Sequence, residues 1–300
     1  MVIILGSPRA APRLVKHMKN YGINAVYTSP SLRDINFKKK IRSHKVIHYI
    51  GSPTVTLHGI LTLLRFKIWK KKVIVSWRGT DVVIANKKII FRILTRIFQS
   101  FIDYNSALAP HLVAELEQIG VKTVVTPIPT FSLYKIRELP SQKKVAVYLP
   151  DKFSYQWDWF QGNLIKKIIK EFPDVEFIIT ANSGKNFSEK NVRCIDWTEK
   201  MEEVYAQVQA VIRLPFHDGL SCTILETVSM GRKMIAWNVV FPFCKVAKNY
   251  EDVKKYLKEV LENPILDVNN SQYVHKKYEK EKITQDLIAV YNKLEKKNNL

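Results

Sequence analysis

The stretch Pro215-Phe216-His217-Asp218-Gly219-Leu220-Ser221-Cys222-Thr223-Ile224-Leu225-Glu226-Thr227-Val228-Ser229-Met230-Gly231-Arg232-Lys233-Met234-Ile235-Ala236 follows a β-branched run over 210–214. The pattern predicts a strand that ends at Pro215, a turn containing Gly219, and a helix that starts near Ser221 and runs to about Met230. The main-chain N–H groups of Ser221, Cys222 and Thr223 then stand at a helix N-terminus, where unsatisfied donors and the helix dipole favour an anion. Asp218 and Glu226 are eight residues apart, one in the turn and one in the helix, so both can face one ligand. A carboxylate accepts from paired hydroxyls, which suits a ribose. A capped helix with two solvent-facing acids has the same spacing, and spacing alone does not separate the two.

Outward from this stretch, short β-branched runs alternate with amphipathic segments along the whole chain. Strands are expected over 2–5, 24–28, 45–50, 72–77, 106–109 and 122–125, with helices over 12–21, 55–69, 86–102 and up to 119. Residues 126–144 contain Pro127, Pro129 and Pro140 without periodicity and are expected as a linker. The alternation then resumes, with strands over 144–149, 175–180, 192–196, 210–214 and 233–237. Helices are expected over 162–171, 201–207, 221–230, 251–262 and 271–294, followed by a lysine- and asparagine-rich tail. Strands separated by helices imply an α/β chain with parallel sheets, here two Rossmann-like units joined by the linker. Ligands of such sheets bind beyond the C-terminal strand ends, so a cleft between the units is the expected site. The expected domains are 1–138, 139–270 and a C-terminal helical segment 271–300.

The 300-residue chain is 46% hydrophobic, too apolar for disorder, and its net charge of +21 suggests a polyanionic partner. The charge is uneven: residues 1–140 hold 23 Lys/Arg and 6 Asp/Glu, a net of +17, and residues 141–300 hold 25 and 21, a net of +4. Cys194, Cys222 and Cys244 are too few and too far apart for a disulfide scaffold or a CxxC zinc site, so a reducing compartment is expected. Val2-Ile3-Ile4-Leu5 is too short for a signal peptide's apolar region, and no run approaches the ~18 apolar residues of a membrane span. No Asp-x-Asp pair is present.

The 215–236 stretch resembles the E-x7-E region of retaining GT-B glycosyltransferases, family 4 and its relatives. The pattern P-S-x-x-E-G-F-G-x-x-x-L-E-A-M-A-x-G-x-P-V-I-A is matched at Pro215, Gly219, Leu225, Glu226, Met230, Gly231, Ile235 and Ala236. In the first half, Val73-Ile74-Val75-Ser76-Trp77-Arg78-Gly79-Thr80-Asp81-Val82 is similar to the family's strand ending in H-G-x-D-V, with Arg78 in the His position. Residues 106–111 and 120–127 are similar to its A-x-S-x-x-L…G-x-x-x-x-V-x-P stretch. The likeness spans nearly the whole chain. It implies a GT-B fold whose last helix returns to the first domain.

The resemblance also implies roles. Glu226 binds the ribose of a nucleotide-sugar, and Asp218, one methylene shorter than the usual Glu, lies against the donor sugar. Gly219, Leu220, Ser221, Cys222 and Thr223 form the diphosphate-binding turn, with Ser221 in place of a glycine. Arg78 joins Asp218 as a catalytic candidate, and Asp81, Gly6 and Ser7 belong to the acceptor side of the cleft. A plain strand–helix turn at Gly6-Ser7 fits the sequence equally well. The family's Arg and Lys after the first strand of the second domain are missing; Lys152 is the candidate cation, with Arg213 and Arg232 behind it. A helix-end arginine such as Arg232 is expected at the surface. Aromatics over 153–160 either stack on a base or sugar or pack the following helix.

The helix over 86–102 is strongly amphipathic. Its apolar face, from Ile89 to Ile102, is expected in the core and its cations at the surface, although such a helix can also lie on an anionic bilayer. Phe66-Lys67-Ile68-Trp69-Lys70-Lys71-Lys72 and Phe37-Lys38-Lys39-Lys40-Ile41-Arg42 add basic patches. The resemblance implies a retaining glycosyltransferase that uses a nucleotide-sugar such as a UDP- or GDP-sugar; no cofactor is expected, and the missing Asp-x-Asp pair agrees with no metal. The basic first half leads to the expectation of a lipid-linked or otherwise anionic acceptor, and of a cytoplasmic protein peripheral at the inner face of the membrane. The alternatives are a nucleic-acid-binding or DNA-modifying protein on the same fold, or a GT-B sugar-nucleotide epimerase.

Overall fold

The computed structural model describes residues 2–29, 35–237 and 241–296. The tail at 297–300 lies outside the described residues. The chain divides into two compact units, Met1–Thr130 with Tyr278–Leu300, and Phe131–Lys277.

The first unit carries strands β1 (Val2–Gly6), β2 (Ala25–Tyr27), β3 (Val46–Ile50), β4 (Lys72–Trp77), β5 (Tyr104–Ala107) and β6 (Val124–Val125). All pair in parallel in the order β2-β1-β3-β4-β5-β6. The second unit carries β7 (Lys144–Tyr148), β8 (Glu176–Thr180), β9 (Val192–Ile195), β10 (Ala210–Arg213), β11 (Lys233–Trp237) and β12 (Lys245–Ala247). These are also parallel, in the order β12-β11-β10-β7-β8-β9. Ile3, Ile4 and Leu5 of β1 and Val145 and Val147 of β7 are fully buried, as continuous apolar strands covered on both faces should be. Each such side chain contributes about 1.5–3 kcal/mol. The chain reverses its direction of strand addition between β1 and β3 in one sheet and between β7 and β10 in the other. Those two switch points are where open parallel sheets hold ligands.

Several helices differ from the sequence expectation. The helix Ile35–Ser43, the short helix Tyr155–Trp159 and β12 were not anticipated. The helix expected over 86–102 is two, Thr80–Lys87 and Ile89–Phe98, because Lys88 adopts an extended conformation between them. Its apolar face is also reversed: only Thr95 is buried, and Ile89, Ile90, Ile93 and Ile97 are exposed. The polar side holds the helix to the fold. Arg92 donates to the Asn86 carbonyl, Arg96 Nε to the Ile119 carbonyl at 2.8 Å, and Thr95 pairs with Thr54 at 2.8 Å between hydroxyls.

The helix expected over 271–294 is also two, Val268–Lys277 and Lys280–Lys296. The first stays in the second unit, where the Ser271 hydroxyl donates to the Ser229 carbonyl at 2.5 Å. The second returns to the first unit and buries Ile283, Leu287, Tyr291 and Leu294 there. Residues 131–138, placed by the sequence at the end of the first domain, lie with the second unit, for reasons of hydrogen bonding given below.

The returning helix docks through a buried polar chain. Tyr291 OH meets His48 Nδ1 at 2.7 Å, His48 Nε2 meets Ser76 Oγ at 2.8 Å, and Ser76 Oγ meets Ser106 Oγ at 2.9 Å. Complete burial lowers the His48 pKa to about 3 and keeps the ring neutral. Above the ordinary histidine value both folded and unfolded chains hold this ring neutral. Below it only the unfolded chain takes up the proton, so stability falls by about 1.4 kcal/mol per pH unit between the two pKa values. Chemical denaturation from pH 7 to pH 4 is expected to show this slope in the native chain. A His48→Gln variant should show a slope smaller by that amount, the remainder coming from other groups such as His17 and His44, whose pKa values burial also lowers.

Candidate functional site

The second unit's switch point lies between the ends of β7 and β10. After β10 the main chain turns at buried Pro215, the Phe216 N–H donates to the Trp159 carbonyl at 3.0 Å, and the helix Cys222–Ser229 begins. Its N-cap, Ser221, is buried and extended, with φ −77° and ψ 131°, and its hydroxyl caps no N–H of the first turn. Gly219 is buried, and Leu220, Cys222 and Thr223 are half-buried. The turn from 219 to 223 is therefore a strand-to-helix junction with its amides at the switch point, as the sequence implied.

Asp218 is tied into this turn. Its Oδ2 accepts from Arg213 Nε at 2.6 Å and its Oδ1 accepts from the Gly219 N–H at 3.1 Å. Arg213 is buried, with its guanidinium carbon 4.5 Å from the ring centre of Tyr148 and 5.3 Å from that of Phe160. Burial opposes the arginine's charge, but the Asp218 carboxylate outweighs it and holds the guanidinium above its ordinary pKa. Arg213 thus serves first as the counter-ion that fixes Asp218, a pairing the sequence reading missed. The signal was an arginine at a strand end five residues before an acid in the turn.

Glu226 lies on the buried side of the helix, 8% exposed, and its Oε1 accepts from the Ser132 N–H at 3.3 Å. Burial pushes the Tyr205 phenol well above its usual pKa, and the Glu226 charge pushes the same way. The helix also holds residues 131–138. The Tyr134 N–H donates to Ser229 Oγ at 2.9 Å, and Arg232 donates to the carbonyls of Arg137 at 2.7 Å and Glu138 at 2.8 Å. Arg232 also reaches the Tyr205 carbonyl at 3.0 Å. It is 0% exposed, and burial lowers its pKa to about 10. The surface position expected for Arg232 is therefore corrected: four main-chain oxygens surround its guanidinium, which pins the linker and takes it out of contention as a diphosphate ligand.

Lys152 follows β7 and is exposed, its Nζ 5.7 Å from the ring centre of Phe153. The aromatics after it divide. Trp157 covers the start of the helix Gly162–Glu171, where a Cβ on Gly162 would come within 2.3 Å of its ring, and its indole N–H donates to Asn163 at 3.1 Å. Phe160 is buried beneath Arg213. Phe153 and Tyr155 are exposed and stacked on each other with centroids 5.9 Å apart, and Phe216 is exposed edge-on to Trp159.

In the first unit, Gly6 ends β1 with φ +94°, and a Cβ there would lie 2.1 Å from the Ile50 carbonyl oxygen. Only glycine allows this approach of β1 to β3 at the switch point. The Ser7 N–H donates to the Ile50 carbonyl at 3.1 Å, and its hydroxyl accepts from Ala10 N–H at 3.3 Å. Arg78, just after β4, presents an exposed side chain. Asp81 is buried and accepts from four main-chain N–H groups: Ser52 at 2.7 Å, Gly79 at 2.9 Å, Arg78 at 3.0 Å and Val82 at 3.1 Å. These donors hold the carboxylate within the loop, so Asp81 builds the loop that carries Arg78. Among the described residues, no three His, Cys, Asp or Glu side chains cluster as a metal site. No helix among them is long and apolar enough to cross a membrane.

The sequence matches no protein-family profile and no curated protein. Solved structures are similar in fold. Sucrose-phosphate synthase from Thermosynechococcus elongatus matches with a TM-score of 0.78 at 11% identity, covering 98% of this chain and 99% of that one. HepE from Anabaena, in complex with UDP-glucose, matches with a TM-score of 0.73 at 10% identity over 98% and 100%. The pneumococcal O-GlcNAc transferase GtfA, in complex with UDP and GlcNAc, matches with a TM-score of 0.60 at 12% identity, with 86% of this chain spanning 59% of that one. Two parallel six-stranded sheets, each with its own switch point, and the full-length likeness to these proteins place the chain in the GT-B fold class.

Proposed function

We propose that this chain is a glycosyltransferase that takes a sugar from a nucleotide-sugar donor. The observation that carries the proposal is the second unit's switch point, where a helix N-terminus and buried Glu226 lie on one short helix. The structural neighbours solved with UDP or UDP-glucose support the same donor class. Glu226 accepts from the ribose hydroxyls. The amides of 220–223 and Lys152 receive the diphosphate as it leaves, with Gly219 shaping the turn. Asp218, oriented by Arg213, meets the donor sugar.

Sugar transfer passes through an oxocarbenium-like state with negative charge growing on the leaving diphosphate. Oriented amides and one lysine can stabilise that charge without a divalent ion, so the proposed mechanism is metal-independent. It is also proposed to retain anomeric configuration. The acceptor, lipid-linked or otherwise anionic, is met by the basic first unit through Arg78 and the Gly6-Ser7 turn, with the protein cytoplasmic and peripheral at the membrane.

The test is hydrolysis of UDP- and GDP-sugars without acceptor in excess EDTA. Slow release of the nucleoside diphosphate from one donor class is expected, undiminished by the chelator. A strict requirement for a divalent metal would overturn the mechanism.

A further inference from the structure

The helix Ile89–Phe98 is turned opposite to a core helix: Thr95 is buried, Arg92 and the Nε of Arg96 bond to main-chain carbonyls of the fold, and Ile89, Ile90, Ile93 and Ile97 face solvent. The helix Leu57–Ile68 has a second such face, formed by Leu57, Leu61 and Ile68. These seven side chains are each between 46% and 74% exposed. The two helices are joined through the turn Pro53–Val55. Thr54 bonds Thr95 of one, and the Pro53 carbonyl lies against Gly59 of the other. At the far end Lys67 Nζ sits 5.6 Å from the ring centre of Phe101, just beyond the isoleucine-bearing helix. Apolar surface of this extent on a water-facing side marks an interaction face.

The surrounding charge says what covers it. Residues 53–102 contain ten Lys/Arg and one acid, Asp81, which is buried and held by four main-chain N–H groups. Lys67, Lys70, Lys87 and Lys88 are exposed around the apolar side chains. A second copy of the same face would bring like charges together, and an ordinary neutral protein surface would leave the lysines without partners. Isoleucines and leucines ringed by lysines complement a surface that is apolar beneath and anionic above.

We infer that these two helices form a docking surface for an anionic lipid bilayer. The isoleucines enter the acyl boundary and the lysines meet the headgroup phosphates. The inference stands on this surface and does not depend on the donor chemistry of the second unit.

Co-sedimentation of the full chain with vesicles tests it. Binding is expected to mixed phosphatidylglycerol–phosphatidylcholine vesicles, weakening with salt, with little binding to phosphatidylcholine alone. Ile93→Ser with Ile97→Ser should lower partitioning about a hundredfold, at about tenfold per buried side chain. Lys67→Glu with Lys70→Glu should lower it by at least about fivefold per charge. All four positions are exposed, so the variants should melt with the native chain; nucleotide binding in solution, read separately, keeps this test apart from that of the catalytic proposal. Equal binding to neutral vesicles, or binding unchanged by the isoleucine substitutions, would overturn the inference. So would a native dimer in sedimentation that those substitutions dissociate, which would assign the face to a second copy.

Discussion

Glu226→Ala is expected to lower kcat/KM for nucleotide-sugar hydrolysis about a hundredfold while the chain stays folded. A hydrogen bond to a charged acceptor is worth about 1.5–3 kcal/mol, and a ribose offers two hydroxyls, so about 3 kcal/mol is lost from the bound state. Within the unit the carboxylate accepts the Ser132 N–H at 3.3 Å, a long bond, and its charge sits near the buried Tyr205 phenol. Glu226→Gln keeps an acceptor for both Ser132 and one hydroxyl and should retain about a tenth of the activity. If ribose contact is its role, the loss appears in donor affinity, measured as Kd by titration, with unchanged melting. An equal fall in stability and activity would assign Glu226 to the core.

Asp218→Ala is expected to reduce both stability and transfer, by different routes. Arg213 is buried against Tyr148 and Phe160, and removing its carboxylate leaves an uncompensated charge in the second unit. Breaking a buried pair from one side costs about 3–5 kcal/mol. For a unit of this size that is a fall in Tm of about 10 °C. Asp218→Ala combined with Arg213→Met removes both charges and should recover most of the stability, because the methionine fills the space between the rings. Transfer should not recover if Asp218 meets the donor sugar. Recovery of activity in the double variant would show that Asp218 acts only by neutralising Arg213.

Where a residue's surroundings come from adjacent sequence, the sequence was legible. The parallel strands read correctly because Val2–Gly6, Lys72–Trp77 and Lys144–Tyr148 are apolar or β-branched almost throughout. The turn at 215–221 read correctly because Pro215, Gly219 and the helical period after Ser221 are local signals. Arg232 did not, because the oxygens that bury it come from Arg137, Glu138 and the helix ending at Ala206. Asp81 sits in a motif that suggests a site, but Ser52, on another strand's loop, completes its shell of donors. The helix Ile89–Phe98 is the clearest case. Its period shows that two faces exist, and only the positions of Thr54, Asn86 and Ile119 show which one meets the fold.

The second unit is proposed to hold a nucleoside diphosphate through the helix Cys222–Ser229. Calorimetric titration of UDP and GDP into the full chain in EDTA tests it most directly. Saturable binding of at least one of them at a single site is expected, weakened about a hundredfold by Glu226→Ala. Binding of neither nucleotide, or binding that Glu226→Ala leaves unchanged, would contradict it.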